Sequence, residues 1–182
     1  MPVPPFLDLV CHPDMPDTRV HSIRVAPARD ADGALRLAFR LDGDLAGLAI
    51  PEEAATLPVE RLWVHTCFEL FVTAEGAAAY REFNFSPSGQ WMCFDFAAYR
   101  QRTANPAIPA PDLRWRRGAN ELALEARLPA TCLPSGALRL GLTAVVEHTD
   151  GSHRYWALGH PPGRPDFHHR DGFALALPAP TP

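Results

Sequence analysis

LWVHTCFELFV at residues 62–72, YREFNF at 80–85 and WMCFDF at 91–96 are the runs that decide the fold. In each run apolar side chains alternate with polar or aromatic ones, a period of two that is typical of half-buried β-strands. The same alternation recurs at residues 35–41, 122–128, 138–146 and 173–177. Asp-Gly and Ser-Gly pairs near these runs are signals for tight turns. About nine or ten strands joined by turns predict an all-β chain, folded as a single antiparallel β-sandwich.

The turn between the second and third runs sets their register. Ser86-Pro87-Ser88-Gly89 predicts a four-residue turn closed by pairing Phe85 with Gln90. With this even loop length, both strands place their mixed side chains on the same side of the sheet. Asn84 then lies opposite Trp91, and Met92 points into the core. Together with the strand predicted at 62–72, one mixed face carries Trp63, His65, Cys67, Glu69, Tyr80, Glu82, Asn84, Trp91, Cys93 and Asp95.

The mixed face predicts a binding site for a small ligand. Its aromatic rings offer contact area, and its carboxylates, amide and imidazole can orient a ligand. The alternative is that the chain covers this face with its own loop and satisfies its polar groups internally. The segment GHPPGRPDFHHRDG at 159–172 is suited to such a role, because its prolines exclude a helix or a central strand. It acts as a lid or as a fixed cover.

Charge and composition exclude several classes of protein. The chain has 182 residues, Lys+Arg 17 against Asp+Glu 21, and a net charge of -4. This acidic balance argues against a nucleic-acid partner. All the cationic side chains except histidine are Arg, which excludes the Lys-dependent Schiff-base and P-loop chemistries. A length of this order predicts one domain, residues 1–182, with loose ends at 1–5 and 178–182.

Cysteine spacing and the N-terminus predict the compartment. Cys11, Cys67, Cys93 and Cys132 are far apart, so neither a disulfide framework nor a zinc knuckle is expected. The first residues lack the features of a signal peptide, and no run approaches the roughly 20 apolar residues of a membrane span. The sequence therefore predicts a cytoplasmic protein without a membrane partner, and leaves its oligomeric state open.

LWVHTCFELFV, EFNFSPSGQWMCFDFAAYR and YWALGHPPGRPDFHHRDGF resemble the small bacterial DOMON-like proteins over roughly residues 60–175. That group is related to type 9 carbohydrate-binding modules and to haem-binding DOMON domains. The resemblance implies an immunoglobulin-like β-sandwich of jelly-roll type that binds a sugar or haem and is not itself catalytic. Type 9 modules hold a sugar between two tryptophans, for which the resemblance suggests Trp91 with Trp63 or Trp156. Haem-binding DOMON domains use a Met with a His or Lys, for which Met92 is the candidate Met.

Other chemistries have weaker support in the sequence. Haem ligation would draw on His65, His160, His168 or His169, and no c-type attachment sequence is present. His168 and His169 with Asp166 lack a metal-ligand spacing. Glu69 with Glu82 could form a glycosidase pair and His65 with Cys67 a nucleophilic pair, but no catalytic motif surrounds them.

We therefore expect a non-catalytic domain that binds a small carbohydrate-type ligand. The alternatives are a non-covalent haem-binding module and a structural or interaction domain whose mixed face is filled by loop 159–172. Haem and Ca²⁺ both remain open as cofactors. The predicted ligand-binding residues are Trp63, His65, Glu69, Tyr80, Glu82, Asn84, Trp91, Asp95, Arg100, Trp156, His160 and His168.

Overall fold

A computed structural model describes residues 5–180 of the chain. Twelve strands lie within this range: β1 (Leu7–Cys11), β2 (Val20–Arg29), β3 (Leu35–Gly43), β4 (Cys67–Ala74), β5 (Tyr80–Phe85), β6 (Trp91–Ala98), β7 (Gln101–Arg102), β8 (Asp112–Arg117), β9 (Glu121–Leu128), β10 (Leu138–Glu147), β11 (His153–Ala157) and β12 (Leu175–Leu177). Helical structure in the described range is limited to short 3-10 segments, at Leu45–Gly47, Val59–Val64, Ala130–Cys132 and Arg170–Gly172. None of its helices is long and apolar enough to cross a membrane.

The strands form two antiparallel layers that β1 joins. One layer has the order β1-β2-β3-β9-β8, and the other has the order β7-β6-β5-β4-β10-β11, with β12 also paired to β10. β1 pairs with β2 through Leu7 to Leu9 and with β11 through Val10 and Cys11. The predicted antiparallel β-sandwich is confirmed.

The core lies between the two layers and follows from the alternation in the sequence. Phe39 of β3 stacks on Phe68 of β4 with ring centroids 4.7 Å apart, and Phe68 stacks on Trp115 of β8 at 5.5 Å. Phe39 and Phe68 are buried, and Trp115 packs against the same cluster. Every second residue of β4 and β10 therefore belongs to the core, and the residues between them face the other side of the sheet.

The predicted register of the β5–β6 hairpin is wrong by one residue. Phe85 pairs with Trp91, and Asn84 pairs with Met92. The loop between the strands is odd, because the Ser86 N–H donates to the Gln90 carbonyl at 2.9 Å and leaves Gln90 outside the ladder. A shift of one residue moves every side chain of a strand to the opposite face. Trp91, Cys93 and Asp95 therefore lie on the core side of the sheet, and Met92 on the other.

The strand predicted at 62–72 is also shorter than expected. Its first residues form the 3-10 helix Val59–Val64, which buries Leu62, and the strand begins at Cys67. Thr66 fixes the change of direction, since its hydroxyl donates to the Ala49 carbonyl at 2.9 Å and accepts the Glu147 N–H at 3.0 Å. Trp63 and His65 are consequently not strand residues.

The predicted loose ends fall mostly outside the described residues. Within them, Pro5 and residues 178–180 are exposed and belong to no strand. The Pro178 carbonyl accepts a hydrogen bond from the Arg29 guanidinium at 3.1 Å, which holds this residue against the fold.

Candidate functional site

Polar and aromatic side chains share the outer face of the β6-β5-β4-β10-β11 layer, which we call the cavity face. Strand pairing aligns them in rows, because Glu69 of β4 pairs with Asn84 of β5 and with Thr143 of β10. The face carries Cys67, Glu69 and Phe71 of β4, Tyr80, Glu82 and Asn84 of β5, Met92, Phe94 and Phe96 of β6, Gly141, Thr143 and Val145 of β10, and Tyr155 of β11.

The segment 159–172 lies against this face. Phe167 packs on Phe71 and Tyr155, with ring centroids 6.4 and 5.9 Å apart. His168 inserts edge-on against Phe71 at 5.2 Å and Phe96 at 5.0 Å. The segment thus supplies aromatic groups that cover part of the cavity face.

A cavity of about 410 Å³ remains between this segment and the sheet. Its size is within the range of small-molecule sites. Trp63 borders it from the 3-10 helix and is 48% exposed, which is high for so large an apolar side chain. The lining consists of Trp63, Glu69, Phe71, Glu82, Phe94, Phe96, Arg100, Arg102, Val145, Tyr155, Pro165, Phe167 and His168.

Two buried carboxylates lie in the lining, where Glu69 is 2% and Glu82 5% exposed. Glu69 accepts hydrogen bonds from the Thr143 hydroxyl at 3.0 Å and from the Cys67 thiol at 3.5 Å. Glu82 accepts one from the Asn84 amide at 2.6 Å. These donors are neutral, so the chain supplies hydrogen bonds to the carboxylates without a direct ion pair.

Burial controls the protonation of this carboxylate pair. Loss of solvation, together with the charge of nearby Glu82, raises the pKa of Glu69 to about 8, against the weaker opposing effect of its hydrogen bonds. Burial also raises the pKa of Glu82, opposed by the Asn84 amide and by the charges of Arg102 and Arg100. Glu69 is therefore a neutral acid near pH 7, able to donate a hydrogen bond as well as accept one.

A chain of hydrogen bonds orients His168. The Arg100 backbone N–H donates to the Tyr80 hydroxyl at 3.0 Å, and the same hydroxyl is hydrogen-bonded to His168 Nδ1 at 2.8 Å. Burial lowers the pKa of His168 to about 4, so its ring is neutral near pH 7. Nε2 lies 3.7 Å from Glu82 Oε2, too far for a hydrogen bond.

An ion pair anchors the covering segment to the β6–β7 turn. The Arg100 guanidinium donates to Asp166 Oδ1 at 2.8 Å, and the Tyr99 hydroxyl donates to Asp166 Oδ2 at 2.6 Å. Arg100 therefore binds neither Asp95 nor Glu82 as a salt-bridge partner, and Asp95 pairs with Arg81 at 2.6 Å instead.

The sequence matches no protein-family model and no curated protein. Solved structures do share the fold. A candidate carbohydrate-binding protein from Bacteroides uniformis superposes with a TM-score of 0.67 at 16% identity, over 92% of this chain and 83% of that one.

A family 9 carbohydrate-binding module from Caldicellulosiruptor kristjanssonii superposes with TM-scores of 0.61 in its cellotriose complex and 0.56 in its glucose complex. The identities are 10% and 11%, over 87% and 81% of this chain and 74% and 71% of that one. The chain shares the β-sandwich fold of these solved structures. The predicted resemblance to type 9 modules is confirmed at the level of the fold, whereas the DOMON resemblance gains no support from these structures.

The β-sandwich fold brings some of the predicted site residues together. Trp63, Glu69, Glu82, Arg100 and His168 line the cavity. Tyr80 and Asn84 share its face without lining it, and each holds a lining residue in place, Tyr80 by its bond to His168 and Asn84 by its bond to Glu82. Their role as ligand-binding residues stays a prediction.

The remaining predicted residues lie elsewhere. Trp91 packs against the core from the other side of the sheet, and Trp156 is in the core with its indole N–H on Asp17 at 3.3 Å. Of the tryptophans suggested as a sugar-holding pair, only Trp63 borders the cavity. His65 pairs with Glu147 at 2.9 Å, and His160 bonds the Val10 carbonyl at 2.8 Å.

The candidates for haem or metal ligands are not gathered at the cavity. His168 is the histidine that lines it, and Met92, which the predicted register placed in the core, lies on the cavity face against the aromatic cluster. His169 accepts the Asp171 N–H at 3.3 Å as the cap of a 3-10 turn. Among residues 5–180 no three His, Cys, Asp or Glu side chains converge as metal ligands. Haem binding stays a prediction.

Several lining residues were not predicted as part of the site. Phe94 and Phe96 were missed because the register error exchanged them with Trp91, Cys93 and Asp95. The alternation in HRYWA at 153–157 offered a signal for Tyr155, since it must face away from Trp156. Arg102, Pro165 and Phe167 reach the cavity from a short edge strand and a loop, for which no periodic pattern exists.

Gly141 allows the covering segment to approach the sheet. A Cβ at this position would lie 3.0 Å from the Phe173 ring, 3.2 Å from the Gly172 carbonyl and 3.3 Å from Phe71 Cβ. We expect Gly141→Ala to lower the free energy of unfolding by about 1–3 kcal/mol, because the crowded atoms must move. Urea unfolding would measure the loss. Gly159→Ala is the control, since its Cβ would meet no atom within 4 Å, and equal stabilities of the two variants would contradict the close approach.

Proposed function

We propose that the protein is a non-catalytic carbohydrate-binding domain whose sugar site is the cavity. The observation that carries this proposal is the lining itself, where aromatic rings and buried carboxyl groups border the same cavity. A sugar ring has apolar faces that pack on aromatic side chains and hydroxyl groups at its edge that need hydrogen-bond partners. Structures with this fold that hold glucose and cellotriose support the proposal.

Trp63 is the main packing surface in this proposal. Its indole is 48% exposed at the cavity while the chain's other tryptophans pack in or against the core. Exposure of an apolar ring to water is unfavourable, and contact with an apolar surface of a bound ligand would remove that cost. Tyr155 and Phe167 provide the other aromatic wall. Their rings pack edge to face with centroids 5.9 Å apart, which holds both in position.

The carboxylates supply the selectivity for hydroxyl groups. Glu82 Oε2 can accept a hydrogen bond from a ligand hydroxyl group, and protonated Glu69 can donate one to a hydroxyl oxygen. Each buried polar group left without a partner in a wrong complex would cost about 1–3 kcal/mol. The pair therefore favours a ligand with several hydroxyl groups.

The test is calorimetric titration with glucose and cellotriose, followed by the variant Trp63→Ala. We expect a measurable affinity for at least one of the two sugars and a loss of about tenfold or more in the variant, since central aromatic contacts dominate such sites. Trp63 is half-exposed, so the variant should keep the native melting temperature within a few degrees.

Trp91→Phe is the matched control. Trp91 lies on the opposite side of the same sheet, so its replacement should leave the sugar affinity unchanged. Equal affinity in Trp63→Ala and the native protein would show that the cavity is not the sugar site. A protein that binds none of a panel of mono- and oligosaccharides would leave the structural role of segment 159–172 as the better account of this face.

A further inference from the structure

A neutral sugar can hydrogen-bond the Glu69–Glu82 pair, but it brings no counter-charge to these two buried acids. We propose, resting on the proposed function, that the sugar carries a basic amine, which binds as an ammonium ion between the carboxyl groups of Glu69 and Glu82. The ligand class is thus an amino sugar with a free amine, such as glucosamine.

The two carboxylates lie on neighbouring strands at diagonal positions. Glu69 pairs with Asn84, and Glu82 pairs with Phe71. The two acids are therefore offset by two positions along the paired strands. Such diagonal side chains are within reach of each other. Asn84 stands between them, donating to Glu82 Oε1 at 2.6 Å and lying 3.9 Å from the Cys67 thiol, which itself donates to Glu69. Both acids line the cavity, so a bound group can contact both.

One carboxyl oxygen of the Glu69–Glu82 pair has no hydrogen-bond donor among the described residues. Among residues 5–180 no hydrogen bond reaches Glu82 Oε2, and His168 Nε2 lies 3.7 Å from it, beyond hydrogen-bond distance. An isolated carboxylate with a free oxygen in a buried site is unfavourable unless it is paired or neutralised. An ammonium group has three donors, enough for Glu82 Oε2 and for a carboxyl oxygen of Glu69 together.

The cations already near the cavity do not fill this role. Arg100 is bound to Asp166, and its position is fixed further by Tyr99. The Arg102 guanidinium lies over the Phe94 ring at 4.0 Å and donates to Asn105 at 2.9 Å. Both arginines act on Glu82 only through space, and burial outweighs them in setting its pKa. His168 is neutral at pH 7.

The walls of the cavity also favour a cation. Phe71, Phe94 and Phe96 line the cavity together with the two acids, and aromatic rings attract a cation that lies over their faces, as Arg102 already does over Phe94. A ligand carboxylate would instead be drawn to Arg102 at the rim. The acids are the more deeply buried and less satisfied groups, and we therefore assign the ligand's charge as positive.

The experiment compares glucosamine, glucose and N-acetylglucosamine by calorimetry at pH 6.5. We expect glucosamine to bind about tenfold or more tightly than glucose, because a charge-assisted hydrogen bond replaces a neutral one. N-acetylglucosamine should gain nothing over glucose, since its amide carries no charge. In Glu82→Gln the ratio of the glucosamine and glucose affinities should fall to about one. In Glu125→Gln, a control on the exposed face of β9, the ratio should be native.

The outcomes separate this inference from the proposed function. Equal affinity for glucose and glucosamine would overturn the inference and leave the carbohydrate site intact. Tighter binding of glucuronic acid than of glucosamine would overturn it in favour of the rim arginines. Binding of choline with no binding of any sugar would overturn both.

Discussion

Phe68→Ala is expected to lower the free energy of unfolding by about 3–5 kcal/mol. Phe68 is 1% exposed and stacks between Phe39 of one layer and Trp115, so its ring joins the two layers of the sandwich. Its removal leaves a cavity between Phe39 and Trp115, and these rings are held on different strands and cannot close it. Guanidinium unfolding in reducing buffer, followed by Trp fluorescence, measures the change.

Trp63→Ala is the comparison variant for this measurement. It removes a larger aromatic side chain, but from a half-exposed position, so we expect a loss of at most about 1 kcal/mol. The two variants should therefore show opposite patterns, with Phe68→Ala weakening the fold and Trp63→Ala weakening sugar binding. A small effect of Phe68→Ala would show that the aromatic stack is not needed to hold the layers together.

Alternation in the sequence was sufficient to predict the fold and part of the site. The stripes at 35–41, 122–128 and 138–146 correspond to β3, β9 and β10, each with its apolar residues in the core. Within β4 and β5 the alternation also placed Glu69, Glu82 and Asn84 on one face correctly, because the apolar residues between them mark the core side of each strand separately.

The register between two strands of a hairpin depends on the length of the turn, and for the β5–β6 hairpin the sequence was ambiguous. Ser-Pro-Ser-Gly is compatible with a four-residue loop, yet Gln90 joins the loop because its backbone and side chain are both engaged. The Gln90 carbonyl accepts the Ser86 N–H, and the Gln90 amide bonds both the N–H and the carbonyl of Leu57. Leu57 is far away in sequence, so this determinant of register is tertiary. The error moved Trp91 to the cavity face and removed Phe94 from it.

The cavity itself could not be derived from periodicity. It exists because segment 159–172 folds back over the sheet, and that path depends on the contacts of Phe167, on the ion pair of Arg100 with Asp166, and on the space above Gly141. These are long-range contacts between irregular segments. The sequence could show that the segment is neither helix nor strand, but not where it lies.

Stability is expected to fall as the pH rises, because Glu69 is held protonated. A carboxyl group whose pKa is higher in the folded state binds its proton more tightly there, so its effect is absent below about pH 4.5. Destabilisation then grows as the pH rises and is complete above the folded pKa of about 8. Between pH 6 and pH 9.5 we expect the free energy of unfolding to fall by about 2 to 3 kcal/mol from Glu69 alone.

The variant Glu69→Gln isolates this effect. Glutamine keeps the shape and can accept the Thr143 hydrogen bond, but it has no proton to lose. Urea unfolding at pH 6 and 9.5 should therefore show a smaller decrease in the variant than in the native protein, with a residual decrease from Glu82 and Cys67, whose pKa values are also raised by burial. Glu75→Gln, in the exposed turn after β4, should retain the full native decrease. Parallel pH profiles for Glu69→Gln and the native protein would mean that Glu69 ionises in the folded state as it does in water.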